Sequence, residues 1–291
     1  MTVYNLGSIN ADLFYRVPHL IAPGETLASS EHQRGLGGKG ANMSVAVARA
    51  AAHVVHIGAI GPDGRWAVDR LMEYGVDTRH ITQVAEATGH AVIMVDDVGE
   101  NAILLYPGAN RAVTETHIEA GLEGATEADT FVFQNETSAI STGAMLASAK
   151  GMRVVYATAP FDAGSVQAVM PLLDILVMNA IEADQLVSEL AVEIENLPVR
   201  DVVITLGSDG CRWINTDKGT DQTFPAIPVT PVDTTGAGDT FTGFLVAGLD
   251  RGLPMEQAIQ LGQQAAAIMV TRHGTADVIP DLKDVQDARL G

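Results

Sequence analysis

Basic residues are scarce in this chain. Lysine and arginine total 17 against 36 aspartates and glutamates, a formal charge of −19 over 291 residues. A surface of that sign repels nucleic acid and anionic membranes, so neither is expected as a partner. An anionic ligand would have to be met by a few local donors, and a nucleotide would need a divalent metal beside its phosphates. Cysteine is scarcer still. Cys211 stands alone, which excludes a disulfide framework and a cysteine-based zinc site, and it is expected to be a buried strand residue. Aromatics make up only 5%. No run reaches the ~18 apolar residues of a membrane span. The first residues, Met1-Thr-Val-Tyr-Asn-Leu-Gly7, lack the basic and apolar regions of a secretory signal. A soluble, cytoplasmic protein is the expectation. Apolar residues, in contrast, reach 47%, enough for a large core.

Those apolar residues fall into short runs that alternate with Ala-rich amphipathic stretches. Strands are predicted at Val3–Leu6, His53–Ile60, Thr130–Gln134, Arg153–Ala157, Ile175–Met178 and Val202–Leu206. Helices are predicted at Ala41–Ala51, Trp66–Tyr74, Thr114–Ala120, Ala139–Ala149, Ile181–Leu190, Asp239–Gly248 and Met255–Thr271. Near-continuous apolar strands alternating with helices predict an α/β fold with a mostly parallel sheet covered on both faces. Residues 11–35 and about 88–107 break the rhythm with alternating patterns and no helical period. They predict antiparallel strands, with Asp97-Val-Gly-Glu100 as a turn, forming a small sheet outside the main layer. The expectation is one domain, 1–291, carrying that small sheet as a lid.

Polar residues and glycines cluster where predicted strands end, the place where ligands collect on open α/β sheets. Leu6-Gly-Ser-Ile-Asn-Ala-Asp12 follows the first strand, and Asn10 and Asp12 share one extended face, suited to holding hydroxyl groups. An Asx-rich turn is the plainer alternative. Gly35-Leu-Gly-Gly-Lys-Gly-Ala-Asn42 runs into a helix but is not a Walker A loop. Glu136 follows another core strand, as a ligand contact or a cap. Asn179 and Glu182 are three apart on a starting helix. Glu182 could hold a hydrated Mg²⁺ or simply favour the helix dipole. Thr205-Leu-Gly-Ser-Asp-Gly210 ends a further strand. Asp233-Thr-Thr-Gly-Ala-Gly-Asp239 places a glycine turn, a helix N-terminus and a carboxylate together. That combination makes an anion site with a base beside it, as phosphoryl transfer to a hydroxyl requires. Asp239 as an ordinary helix cap is the competing reading.

In this order and over nearly the whole chain, these motifs resemble the ribokinase branch of the PfkB-type carbohydrate kinases. The resemblance implies a three-layer αβα sandwich with a β-sheet lid that contributes to a homodimer. It also implies transfer of the ATP γ-phosphoryl group to a primary sugar hydroxyl, ribose to ribose 5-phosphate first. Carried over by position, Asn10, Asp12, Gly38, Lys39, Asn42 and Glu136 would contact the sugar. Asn179, Thr205, Gly207, Ser208, Gly210 and Gln263 would contact the nucleotide. Gly236, Ala237 and Gly238 would form the anion hole, Asp239 would be the base, and Glu182 would hold Mg²⁺ through water. Asp233, Thr235, Arg272 and Gly274 would surround a monovalent cation, K⁺.

Three positions depart from the family. Ala157-Thr158-Ala-Pro160 replaces an Asn-Pro-Ala-Pro segment, Val278 replaces a serine at the cation loop, and Gln263 lies where a histidine near adenine is common. Fructose, a sugar acid or a nucleoside are therefore alternative substrates, the last using Phe14 or Tyr106 for its base. A non-catalytic sensor is the reading from another class.

Overall fold

The computed structural model describes residues 1–288; the last three residues of the expected 1–291 domain lie outside the described residues. The chain begins with β1 (Val3–Leu6), β2 (Asn10–Arg16), β3 (Glu31–Gly37) and α1 (Lys39–Arg49). β4 (Val54–Ile60), α2 (Arg65–Glu73), β5 (Asp77–Gln83), β6 (Gly89–Val95), β7 (Asn101–Tyr106) and α3 (Glu115–Gly121) follow. The middle of the chain holds β8 (Thr130–Gln134), α4 (Ile140–Ala149), β9 (Arg153–Ala157), α5 (Ala163–Val169), β10 (Ile175–Asn179) and α6 (Ala180–Leu190). Last come β11 (Asp201–Thr205), β12 (Cys211–Asn215), β13 (Thr220–Phe224), α7 (Ala237–Asp250), α8 (Met255–Met269) and α9 (Leu282–Asp287).

Nine strands make the main sheet in the order β13-β12-β11-β10-β9-β8-β1-β4-β5. Its pairings are parallel from β5 to β11, and the β11–β12 and β12–β13 pairings are antiparallel, so β12 is the reversed strand. Alternate strand residues feed opposite cores, as a period of two dictates. Val3, Val132, Val155, Val177 and Val203 pack with α1, α2, α7 and α8. Leu6, Phe131, Phe133, Tyr156 and Ile204 pack with α3 to α6. The three-layer expectation holds, and its physical reason is that both sheet faces are apolar. Cys211 is buried in the core, as expected.

A second sheet of four strands, β3-β2-β6-β7, stands apart from the first. Its outer pairs are antiparallel, but β2 and β6 run parallel, which corrects the all-antiparallel expectation. The two hairpin-like segments come from distant parts of the chain and meet side by side rather than end to end. The turn between β6 and β7 is built by Asp96, whose Oδ1 accepts the N–H groups of Val98 (3.0 Å) and Glu100 (2.9 Å).

Candidate active site

The carboxyl ends of β9, β10 and β11 and the N-termini of α1, α6 and α7 converge on one cavity of about 240 Å³. Its walls include Lys39, Thr158, Asn179, Glu182, Gly236 and Asp239. Convergence depends on backbone contact at the root of the site. Gly7, just after β1, and Gly40, in the first turn of α1, face each other so closely that a Cβ on either would overlap the other's backbone. The Ser8 carbonyl accepts the Ala41 N–H at 2.9 Å, which fixes the start of α1 against the end of β1.

A buried polar chain supports this junction. Asn5 Nδ2 donates to the Gly40 carbonyl (2.8 Å) and to Ser44 Oγ (2.8 Å). Gln134 Nε2 donates to Asn5 Oδ1 at 2.9 Å. His56 is fully buried, and burial lowers its pKa to about 4, so the ring is neutral. Because the Gly7 carbonyl can only accept, Nε2 carries the proton and donates to it (3.1 Å), leaving Nδ1 to accept from Ser44 (2.8 Å).

Asp239 is the informative residue. Gly236, in the left-handed region at φ 76°, ends the turn before α7, and no side chain caps that helix. The Asp239 carboxylate is spent elsewhere: Oδ2 accepts from Asn42 Nδ2 at 2.8 Å, across from α1. The capping reading is therefore not realised. Burial pushes the Asp239 pKa up to about 6, against the pull of the Lys39 ammonium and the Asn42 amide, with Glu136 adding to the rise. Lys39 is held above its ordinary value chiefly by Asp239, then by Glu136 and Glu182, so it stays charged amid three carboxylates. Asn42 Oδ1 is buried and has no hydrogen-bond partner among the described residues.

On the side of the small sheet, Asp12 is buried and pushed up to about 7 by burial, with the Glu136 and Asp239 charges adding to it. Any side chain at Gly37, directly beside it, would collide with its carboxylate. Asn10 Oδ1 accepts from Asn110 Nδ2 at 2.7 Å. Glu136 Oε2 accepts the Lys39 N–H at 3.1 Å and the Ser8 hydroxyl, just beyond the N-cap residue Gly38. Asn10, Asn110 and Glu136 also border a smaller hollow of about 40 Å³.

Across the cavity, Asn179 and Glu182 cap one another. Asn179 Oδ1 accepts the Glu182 N–H, and Glu182 Oε2 accepts the Asn179 N–H, each at 2.9 Å. Both residues also line the cavity, so the cap and the site coincide. Thr205 lines it too, whereas Gly207 and Ser208 sit on an exposed single turn beyond it. Gly210 is buried and packs against the Phe224 carbonyl. Gln263 does not line the cavity; its amide donates to the carbonyls of Phe224 (3.3 Å) and Pro225 (3.2 Å).

At the expected cation loop, Asp233 accepts the N–H groups of Thr235 (2.9 Å) and Gly274 (3.2 Å). The Arg272 guanidinium closes the loop by donating to the Val278 carbonyl (3.0 Å) and Asp284 (3.1 Å). A guanidinium has no lone pair for a cation, so Arg272 could offer only its carbonyl. Thr275 Oγ1 donates to the Leu36 carbonyl at 2.9 Å, tying the loop to the base of the small sheet.

Sequence reasoning assigned no role to Ser8, Asn110 or Thr158, the last noted only as part of a departure from the family. Ser8 lay inside a quoted motif. Asn110 sits in Pro107-Gly-Ala-Asn110, a turn signal whose asparagine proves buried.

Comparison with known proteins gives a consistent result. A family model described as pfkB family carbohydrate kinase matches residues 2–282. The chain is 37% identical to a ribokinase of Haemophilus influenzae, covering 96% of this chain and 95% of the relative. Among solved structures, it superposes on ribokinase from Thermotoga maritima with a TM-score of 0.89 at 30% identity, covering 98% of each chain. Arabidopsis thaliana ribokinase complexed with ribose and ATP gives a TM-score of 0.88 at 28% identity, covering 98% of this chain and 97% of that one.

Proposed function

The chain belongs to the pfkB family of carbohydrate kinases, and on that premise we propose that it phosphorylates ribose to ribose 5-phosphate at the expense of ATP. The observation that carries the mechanism is Asp239: a buried carboxylate in the first turn of α7 that does not cap its own helix. Its raised pKa keeps it basic enough to take a proton near neutral pH.

Ribose is read into the space between Asp12, Asn10, Glu136 and Asn42. Asn110 occupies Asn10 Oδ1, which leaves the Asn10 amide N–H groups for a sugar oxygen. The unpaired Asn42 Oδ1 suits a sugar hydroxyl donor. Asp239 accepts the proton of the primary hydroxyl as that oxygen forms its bond to the γ-phosphorus. The bond between that phosphorus and the bridging oxygen breaks, and its electrons stay on ADP. N–H groups of residues 236–238 and the Lys39 ammonium offset the charge on the transferring group. Closure of the small sheet over the sugar would exclude water and protect ATP from hydrolysis.

No group of three or more metal-ligating side chains occurs among the described residues. A single carboxylate, Glu182, fits Mg²⁺ that arrives with the nucleotide and keeps its waters. When bound, that ion neutralises phosphate charge. Asp233 and the Thr235 carbonyl could offer oxygens to K⁺. Val278 adds no side-chain ligand there, which supports a weakened cation dependence. The small sheet exposes Ile103 (62%) and Leu104 (68%) on its edge strand β7, which supports a homodimer formed through it. A cytoplasmic location would give access to ATP.

Asp239→Asn tests the reading. Turnover should fall about 10²- to 10⁴-fold with ribose binding kept, the range of a lost general base. Near-normal kcat would remove Asp239 from that role.

A further inference from the structure

Thr158 sits just past the end of β9 and is 1% exposed. Its N–H donates to the Val177 carbonyl at 3.1 Å, a bond that proline could not make. Its hydroxyl lies 2.9 Å from Glu182 Oε2 and 3.4 Å from the Val177 carbonyl. One hydroxyl proton serves one strong bond, and the shorter contact to a charged acceptor takes it. Glu182 Oε2 therefore holds two donors, the Thr158 hydroxyl and the Asn179 N–H. Oε1 receives no protein donor among the described residues and is not sealed away as an unpaired buried atom. Since Glu182 lines the cavity, Oε1 is the oxygen presented to a ligand. A glutamate carboxyl otherwise turns freely about its last torsion, and two donors on one oxygen stop that rotation.

We propose that Thr158 is a positioning residue, which acts through Glu182 to set how strongly magnesium tightens nucleotide binding. This rests on the reading of Glu182 as the metal-side carboxylate. Hydrogen-bond partners of metal-site carboxylates tune metal affinity without touching the metal. Among the described residues, the Thr158 hydroxyl is the one side-chain donor to Glu182.

The test is calorimetric and needs no turnover. ADP affinity is measured with excess Mg²⁺ and with chelator, and the ratio of the two is the magnesium increment. Thr158→Val should cut that increment about tenfold and leave metal-free ADP binding unchanged. Thr158→Ser, which restores the hydroxyl, should stay near wild type. Thr158→Ala carries the same expectation as the valine variant and replaces it should the valine variant misfold. A wild-type increment in the valine or alanine variant, with Glu182→Gln losing it, overturns the role of Thr158 and spares that of Glu182. An equal loss with and without metal also overturns it, because that marks a structural effect only. A full increment in Glu182→Gln overturns the underlying reading itself.

Discussion

Asp239→Asn should make this protein more stable at the same time as it makes it inactive. The Asp239 carboxyl is pushed from 3.8 up to about 6, chiefly by burial. Its ionised form is therefore disfavoured in the folded state by about 2 pH units, or about 3 kcal/mol. The sign follows from proton counting. Between pH 3.8 and about 6 the folded chain binds more protons at this site than the unfolded chain does. Stability is thus lost as pH rises through that window, and the loss is complete above it. A neutral asparagine of the same shape avoids the loss. It can still offer an oxygen to Asn42 Nδ2, and Lys39 keeps Glu136 and Glu182 nearby. Removing the Asp239 charge also relieves Asp12, whose pKa it helps to raise. With roughly 2 °C per kcal/mol for a chain of this size, Tm should rise about 6 °C at pH 8. The assay is thermal unfolding of both proteins, without ligand, from pH 4 to pH 8. The gain should shrink towards zero as pH falls to 4. An unchanged or lower Tm at pH 8, or a gain independent of pH, would refute the claim that a strained buried charge sits at this position. Such an exchange of stability for activity is a common feature of catalytic groups.

The same carboxyl should shape the pH–rate profile: at pH 5 only about a tenth of Asp239 is ionised, so kcat at saturating ribose should lie about tenfold below its plateau, while kcat/KM falls further because Asp12 is pushed up to about 7. Lys39→Met should move that limb to higher pH, since the ammonium is what holds the Asp239 pKa down; a limb that stays put would assign it to another group. Asp12→Ala should raise the ribose KM by about ten- to a hundredfold, the worth of one or two charge-assisted hydrogen bonds, with a smaller change in kcat. Ile103→Lys combined with Leu104→Lys should halve the mass measured by light scattering, and an unchanged mass would move the dimer away from the small sheet.

Much of this architecture is written in local pattern. The strands β1, β8 and β9 match their predicted bounds because a strand buried on both faces is apolar over most of its length, and few other local structures look like that. β5, β12 and β13 were not predicted. β5 and β13 are edge strands rich in polar residues, Asp77-Thr-Arg-His-Ile-Thr-Gln83 and Thr220-Asp-Gln-Thr-Phe224, so one covered side leaves little periodic signal. The parallel β2–β6 pairing was equally hidden, because it joins segments almost 80 residues apart by register alone. At the site, the motifs named the residues but not their partners. Asn42 and Asp239 are 197 residues apart, and no spacing rule ties them together. Thr158 stood out only as part of the Ala157-Thr158 replacement of the family's Asn-Pro, and only the fold shows its hydroxyl on Glu182.

The central claim is settled most directly by product analysis of the wild-type enzyme with ATP, Mg²⁺ and each of ribose, fructose, deoxyribose and adenosine in turn, with K⁺ and Na⁺ compared. Phosphorus NMR should show ADP and ribose 5-phosphate appearing in equal amounts, with ribose giving the highest kcat/KM. Absence of any sugar-dependent ATP turnover, or a clear preference for one of the other three acceptors, would contradict the account.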